Sequence, residues 1–176
     1  MLGLERVDGY GRGGNDYGSL YGTLGDDLYI SRDRFTLIKG DGHMGYTKGF
    51  ERIDSFGRGG NDVAELHGTT GDDKFISTDK YAALITEFRI TYTKGFESLS
   101  AHAVAGGTDT AHYFGLLSGD EFTGAGNLAA VARAITSRTD SAYGFEKVDI
   151  YASEDESPEL TLAAIDYILN EDIVWV

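Results

Sequence analysis

The stretch GRGGNDVAELHGTTGDDKFIS at residues 57–77 is a near copy of GRGGNDYGSLYGTLGDDLYIS at residues 11–31. A looser third copy, AGGTDTAHYFGLLSGDEFTG, covers 105–124. Working away from these copies, Leu4-Glu-Arg-Val-Asp8 returns as Phe50-Glu-Arg-Ile-Asp54, as Phe96-Glu-Ser-Leu-Ser100 and as Phe145-Glu-Lys-Val-Asp149, at intervals of 46, 46 and 49 residues. The chain is therefore one domain of internally repeated units, 4–49, 50–95 and 96–144, followed by a partial unit at 145–176. A fixed period of this length is the signature of a stacked repeat architecture, in which each unit buries its apolar face against its neighbours.

Within each unit, short extended stretches rich in β-branched and aromatic residues alternate with Gly/Asp turns, the pattern of an all-β chain. A finer spacing of nine residues relates Leu20, Tyr29 and Ile38, then Leu66, Phe75 and Leu84, then Tyr113, Phe122 and Val131. The expectation is a β-solenoid, either a parallel β-helix or a β-roll, with these residues as an inward ladder. Leu4, Phe50, Phe96 and Phe145 should occupy equivalent places along one axis. Residues 127–135, NLAAVARAI, contain good helix formers, but their repeat partners at 35–39 and 81–85 favour strand. The C-terminal stretch from Ser157 reads differently. Ser157 suits an N-cap, Pro158 the first helical position and Glu159 the first turn, so a short capping helix over 157–170 is expected, with Ile165 or Ile168 buried.

Composition limits the functions open to such a fold. Glycine is abundant, 25 of 176 residues, with a single proline and no cysteine. Disulfides, thiolate metal sites and cysteine nucleophiles are thereby excluded. The net charge of −14 repels phosphate, so nucleic acid is a poor partner, and no apolar run reaches the length that inserts into a membrane. The first residues, MLGLERVDGYG, have neither a basic segment nor an apolar one of the secretory kind. They begin inside a repeat, as an excised piece of a larger protein would.

The chemistry is concentrated in two turns per unit. The first carries Asp16, Asp62 and Asp109, and the second carries Asp27, Asp73 and Asp120. The second turn, Gly22-Thr-Leu-Gly25-Asp-Asp27-Leu-Tyr29 and its copies, resembles the nonapeptide of the RTX (repeats-in-toxin) calcium-binding β-roll. That resemblance implies Ca²⁺ held by turn carbonyls and by Asp27, Asp73 and Asp120, with Tyr29, Phe75 and Phe122 as core. Here the two turns lie 11 residues apart and are followed by some 35 residues without the motif. Hard oxygen ligands on tight turns suit calcium, and an aspartate bonding its own turn backbone suits the same sequence. With both turn sets counted, Asp16, Asp27, Asp62, Asp73, Asp109 and Asp120 are the candidate metal ligands. The ending Asn170-Glu-Asp-Ile-Val-Trp-Val176 is similar to that of type I secretion substrates, which points to an extracellular or cell-surface location.

No catalytic set is evident. His43, His67, His102 and His112 lack metal-ligand spacing, and no phosphate-binding or nucleophile motif occurs. Tyr46 with Lys48, and Tyr92 with Lys94, could mimic the acid and base of a polysaccharide lyase, but they recur with the repeat as scaffold residues do. The expected function is a non-enzymatic extracellular module, structural, adhesive or an ancillary binding domain, with a glycan or other surface proteins as partner. Two alternatives stand beside it: part of a polysaccharide lyase or epimerase, and a surface or fibre subunit that self-associates through the solenoid ends. Solvent-exposed aromatics lined along one face would favour glycan binding.

Overall fold

The computed structural model describes residues 5–170. Over that range the chain is all-β and contains no helix, as the repeat pattern requires. The first unit supplies β1 (Glu5–Tyr10), β2 (Tyr17–Tyr21), β3 (Leu28–Arg32), β4 (Phe35–Gly40) and β5 (His43–Lys48). The second supplies β6 (Arg52–Phe56), β7 (Val63–His67), β8 (Lys74–Ser77), β9 (Ala82–Ile85) and β10 (Ile90–Lys94). The third supplies β11 (Ser98–His102), β12 (Thr110–Leu116), β13 (Glu121–Gly126), β14 (Leu128–Arg133) and β15 (Arg138–Tyr143). The partial unit adds β16 (Lys147–Ala152), β17 (Glu159–Ile165) and β18 (Ile168–Asn170).

These strands form two sheets, ordered β1-β5-β4-β3-β7-β11-β15-β14-β13-β17 and β18-β16-β12-β8-β9-β10-β6-β2. The chain crosses between them three times per unit. In the first unit it runs from β1 in the first sheet to β2 in the second, then back to β3. There it leaps past two vacant positions, which the antiparallel strands β4 and β5 fill on the way back. The second unit does the same on the opposite sheet, where β8, β9 and β10 return to β6. The third unit reverts to the first sheet with β13, β14 and β15. Pairs within these meanders are antiparallel, and the pairs joining them to the rest are parallel, as β3 with β7 and β7 with β11.

Three crossings make one and a half coils, so equivalent residues alternate between sheets and return to the same side only every second unit. The core bears this out. Tyr29 of the first unit packs on Phe96 of the third at 5.9 Å, and Phe75 of the second packs on Phe145 of the fourth at 6.1 Å. Phe96 and Phe145 are therefore equivalent and buried, while Phe50 is half-buried. Leu4 lies outside the described residues.

The nine-residue ladder is inward-facing, with all members but the half-buried Leu20 at most 1% exposed. Its origin differs from the expectation of successive coils. Tyr29 and Ile38, Phe75 and Leu84, and Phe122 and Val131 are directly opposed across antiparallel hairpins. The spacing records a hairpin followed by a return, not a complete turn of solenoid. Residues 128–133 form strand β14, as their repeat partners indicate.

The capping helix is a correction. Residues 159–165 form β17, parallel to β13, and β18 pairs with β16. Ile168 is 66% exposed, Ile165 is half-buried, and Tyr167 is the residue turned into the core. Its hydroxyl donates to the Leu128 carbonyl at 3.0 Å. The unpaired edge of β13 provides a ladder of backbone partners, and this outweighs a local helix signal of a few tenths of a kcal/mol per residue.

Candidate functional site

The turns that join the sheets form two edges of the molecule, and on each edge they stack in a fixed order. On one edge the second turn of the first unit, the first turn of the second unit and the Gly-Phe-Glu turn of the third lie side by side. The Glu97 carboxylate accepts the Asp62 N–H at 2.7 Å, Asp62 Oδ1 accepts the Asp27 N–H at 2.8 Å, and Asp27 Oδ2 accepts the Thr23 N–H of its own turn at 2.6 Å. On the other edge Glu146, Asp109, Asp73 and Thr69 repeat the series at 2.7, 2.8 and 2.5 Å. The step between stacked aspartates is 35 or 36 residues, so the 11-residue offset between the two turns of a unit brings one unit's turn onto the next.

Glycine is needed where these turns touch. A side chain at Gly57 would run into the Gly95 carbonyl. Gly60 combines φ of +99° with a position whose Cβ would lie 2.5 Å from the Gly25 carbonyl carbon, excluding any other residue.

The six aspartates therefore fall into two chemical groups. Asp27, Asp73 and Asp120, all buried, are engaged with turn backbone: Asp73 also accepts from Thr69 Oγ1 at 3.1 Å, and Asp120 accepts from the Leu117 and Ala134 N–H groups. Asp16, Asp62 and Asp109 each have an inaccessible Oδ2 with no hydrogen-bond partner. Burial, together with the neighbouring Asp73 and Glu146, pushes the Asp109 carboxyl up to about 6. Burial raises Asp62 and Asp73 in the same direction. For a hard cation, Asp62 and Asp109 offer a free oxygen, whereas the RTX-equivalent Asp27 and Asp73 have theirs turned to their own turns. Among the described residues no three acidic or histidine side chains converge as a metal site.

The Glu of each Gly-Phe-Glu turn belongs to this arrangement but was legible only as a repeat marker. Its recurrence signals a role, and the stacking of turns from consecutive units is what reveals it. In the partial unit, where the Gly/Asp code is lost, Glu156 takes over by accepting the Ser118 N–H at 2.6 Å.

The outer face of the second sheet is the other candidate. Side chains alternate across a strand, and the outward positions carry a band of rings. Tyr21 stacks on Phe56 at 5.0 Å, Phe56 meets Tyr92 at 6.2 Å, and Tyr92 stacks on Tyr81 at 5.0 Å. Beyond Ala83 and Ile76 the band resumes with His112, Phe114 and Tyr151, the last two stacked at 4.5 Å. Strands β2 to β16 span six inter-strand gaps, roughly 29 Å. Polar groups flank the rings: Tyr17 Oη donates to Asp54 at 2.9 Å, Arg52 pairs with Asp54, and Asp149 faces both His112 and Lys147. Desolvation lowers the His112 pKa from its ordinary value, against the opposing pull of Asp149.

On the first sheet the fold assembles His67, His102 and Tyr143 into a continuous stack with 4.9 Å spacings. Nothing in their sequence spacing announces this, because β7, β11 and β15 become neighbours only through the three-crossing topology. The lyase-like pairs are separated: Tyr46 and Lys48 lie on β5 in the first sheet, Tyr92 and Lys94 on β10 in the second. No family model matches this chain, and no curated protein or solved structure is significantly similar to it.

Proposed function

We propose that the protein is a non-catalytic, extracellular binding module whose second sheet holds an extended carbohydrate chain, with calcium at the turns stabilising the scaffold. The observation that carries the first part is the aromatic band: Tyr21, Phe56, Tyr92, Tyr81, Phe114 and Tyr151 across a single rigid face. Aromatic rings offer apolar contact to sugar C–H faces, and tyrosine hydroxyls with the flanking Asp54 and Lys94 offer hydrogen bonds to sugar hydroxyls. A face of roughly 29 Å suits a polymer rather than a single sugar. The calcium part is supported by the orphaned Oδ2 atoms of Asp62 and Asp109, buried acceptors that a hard cation would satisfy.

The test is affinity electrophoresis against neutral soluble polysaccharides such as xylan, β-glucan and mannan. Retardation by at least one is expected, reduced tenfold or more, about 1.4 kcal/mol, in the double variant Tyr92→Ala/Phe114→Ala. Migration unaffected by every polymer, or retardation that survives the double variant, would overturn the assignment of this face.

A further inference from the structure

The alternating topology builds the same corner twice, once on each edge, where the hairpin tips of consecutive units meet. In the first corner Arg89 of the second unit donates through its guanidinium to the Arg32 carbonyl at the tip of the first unit's hairpin. In the second corner Arg138 of the third unit donates to the Thr78 carbonyl of the second unit. The partners are related by the repeat, 46 residues separating Arg32 from Thr78 and 49 separating Arg89 from Arg138. Beside each clamp a buried side-chain pair also repeats, Ser31 with Thr91 at 3.0 Å and Ser77 with Asp140 at 2.6 Å.

The two corners are filled differently. In the second, Arg133 bonds Ser77 and the Phe114 carbonyl and pairs with Asp140. The first has no arginine at the place of Arg133, and beside its clamp opens a cleft of about 380 Å³, within the size range of small-molecule sites. Its lining includes Arg34, Lys48, Arg89, Asp33, Glu51 and Phe88. Three cations against two carboxylates give a net charge of +1 in a chain of −14. Arg89 is 7% exposed, and its Nε–H has no partner. A buried guanidinium donor left unsatisfied is costly unless a ligand completes it. Phe88 stands at the rim, 60% exposed.

We infer that this cleft is a binding site for an acidic sugar, a pyranose ring bearing a carboxylate. The carboxylate is received by Arg89, with Lys48 and Arg34 at the mouth, since guanidinium groups match carboxylates in geometry and charge. Phe88 offers its ring to the apolar face of the sugar. Asp33, paired with Arg34 at 3.4 Å, and Glu51, whose Oε2 accepts the Asp16 N–H at 2.7 Å, each keep a second carboxylate oxygen to which ring hydroxyls can donate. The surrounding negative charge does not forbid this, because salt screens exposed charges beyond about 8 Å at physiological ionic strength. The cleft lies on the edge of the molecule, separate from the aromatic band, and does not depend on the reading of that face.

The experiment is an ¹H–¹⁵N NMR titration of the intact chain with methyl β-D-glucuronide, methyl β-D-glucoside and acetate, each to about 50 mM, a range that captures millimolar Kd values. The expected result is saturable shifts from the glucuronide at residues 33–34, 48–51 and 88–89. The glucoside and acetate should bind at least tenfold more weakly, because each lacks half of the recognised chemistry. The exposed variants Lys48→Glu and Phe88→Ala should each weaken the glucuronide tenfold or more, while Ile135→Ala in the second corner should leave it unchanged. No saturable shift with the glucuronide, acetate binding as tightly as the glucuronide, or affinity indifferent to Lys48→Glu and Phe88→Ala would each overturn the proposal. Shifts confined to Tyr92, Phe114 and Tyr151 would overturn it as well, by moving the sugar to the aromatic face.

Discussion

Asp109 shows how a single residue ties the turns to solution behaviour. Its Oδ1 accepts the Asp73 N–H while its Oδ2 is buried without a partner, and burial pushes its carboxyl up to about 6 from the usual aspartate range. The folded state therefore binds this proton more tightly than the unfolded chain does. Between about pH 4 and pH 6 the group's contribution to stability falls as pH rises, and above pH 6 its burial penalty is fully present. Asp109→Asn keeps the carbonyl acceptor and removes the charge. In EDTA at pH 7.5 the variant should melt roughly 2–4 °C higher than the parent, the size of a ~1 kcal/mol gain in a domain of this length. At pH 4 the difference should vanish. His67, His102 and His112 titrate with lowered pKa values and lose stability as pH falls, but they do so in both proteins and cancel in the comparison. With millimolar Ca²⁺ the parent should gain thermal stability and Asp109→Asn should gain less. Equal melting of the two proteins in EDTA at pH 7.5 would contradict the charge argument, and a parent indifferent to calcium would remove the metal from the proposal. The six aspartates were legible in the sequence because the turns recur in register. Their division into turn-bonded and orphaned groups was not, since it depends on which turn of another unit supplies the N–H. Arg89 was invisible for the same reason: its role exists only where two units' hairpins meet.

At the scale of elements, alternation of apolar residues carried most of the strand assignment, and the repeat corrected local propensity at β14. It failed at β17, where an N-cap, a proline and an acidic first turn describe a helix that tertiary pairing with β13 overrides. The distinction between interior and outermost strands is also absent from the pattern. Phe75 on β8 and Leu162 on β17 both face inward, yet Phe75 is fully buried between Tyr113 and Phe145, whereas Leu162 is 45% exposed. Phe75→Ala should cost about 3–5 kcal/mol, the range for truncating a buried phenylalanine. Leu162→Ala should cost under about 1 kcal/mol, because half its area is already in water. Urea titration of both variants checks this. Similar costs for the two would mean that β17 is covered as fully as the interior strands.

For the whole molecule, a 46-residue unit makes one and a half coils, so that successive copies face opposite sides. The sequence disclosed the repeat and the class of fold, but a period in residues does not state how many crossings it contains. Two sheets could also be built with one coil per unit, and then residues 46 apart would be neighbours in one sheet. In the topology described, Arg52 on β6 and Ser98 on β11, 46 apart, lie on opposite sheets, while Val63 on β7 and Ser98, 35 apart, are directly paired. The chain has no cysteine, so pairs can be introduced without background. Spin labels at Val63→Cys and Ser98→Cys, on adjacent strands about 4.8 Å apart, should show strong dipolar broadening. Labels at Arg52→Cys and Ser98→Cys, pointing away from each other across sheets about 10 Å apart, should show none. Broadening in the 52/98 pair and its absence in the 63/98 pair would contradict the alternating solenoid.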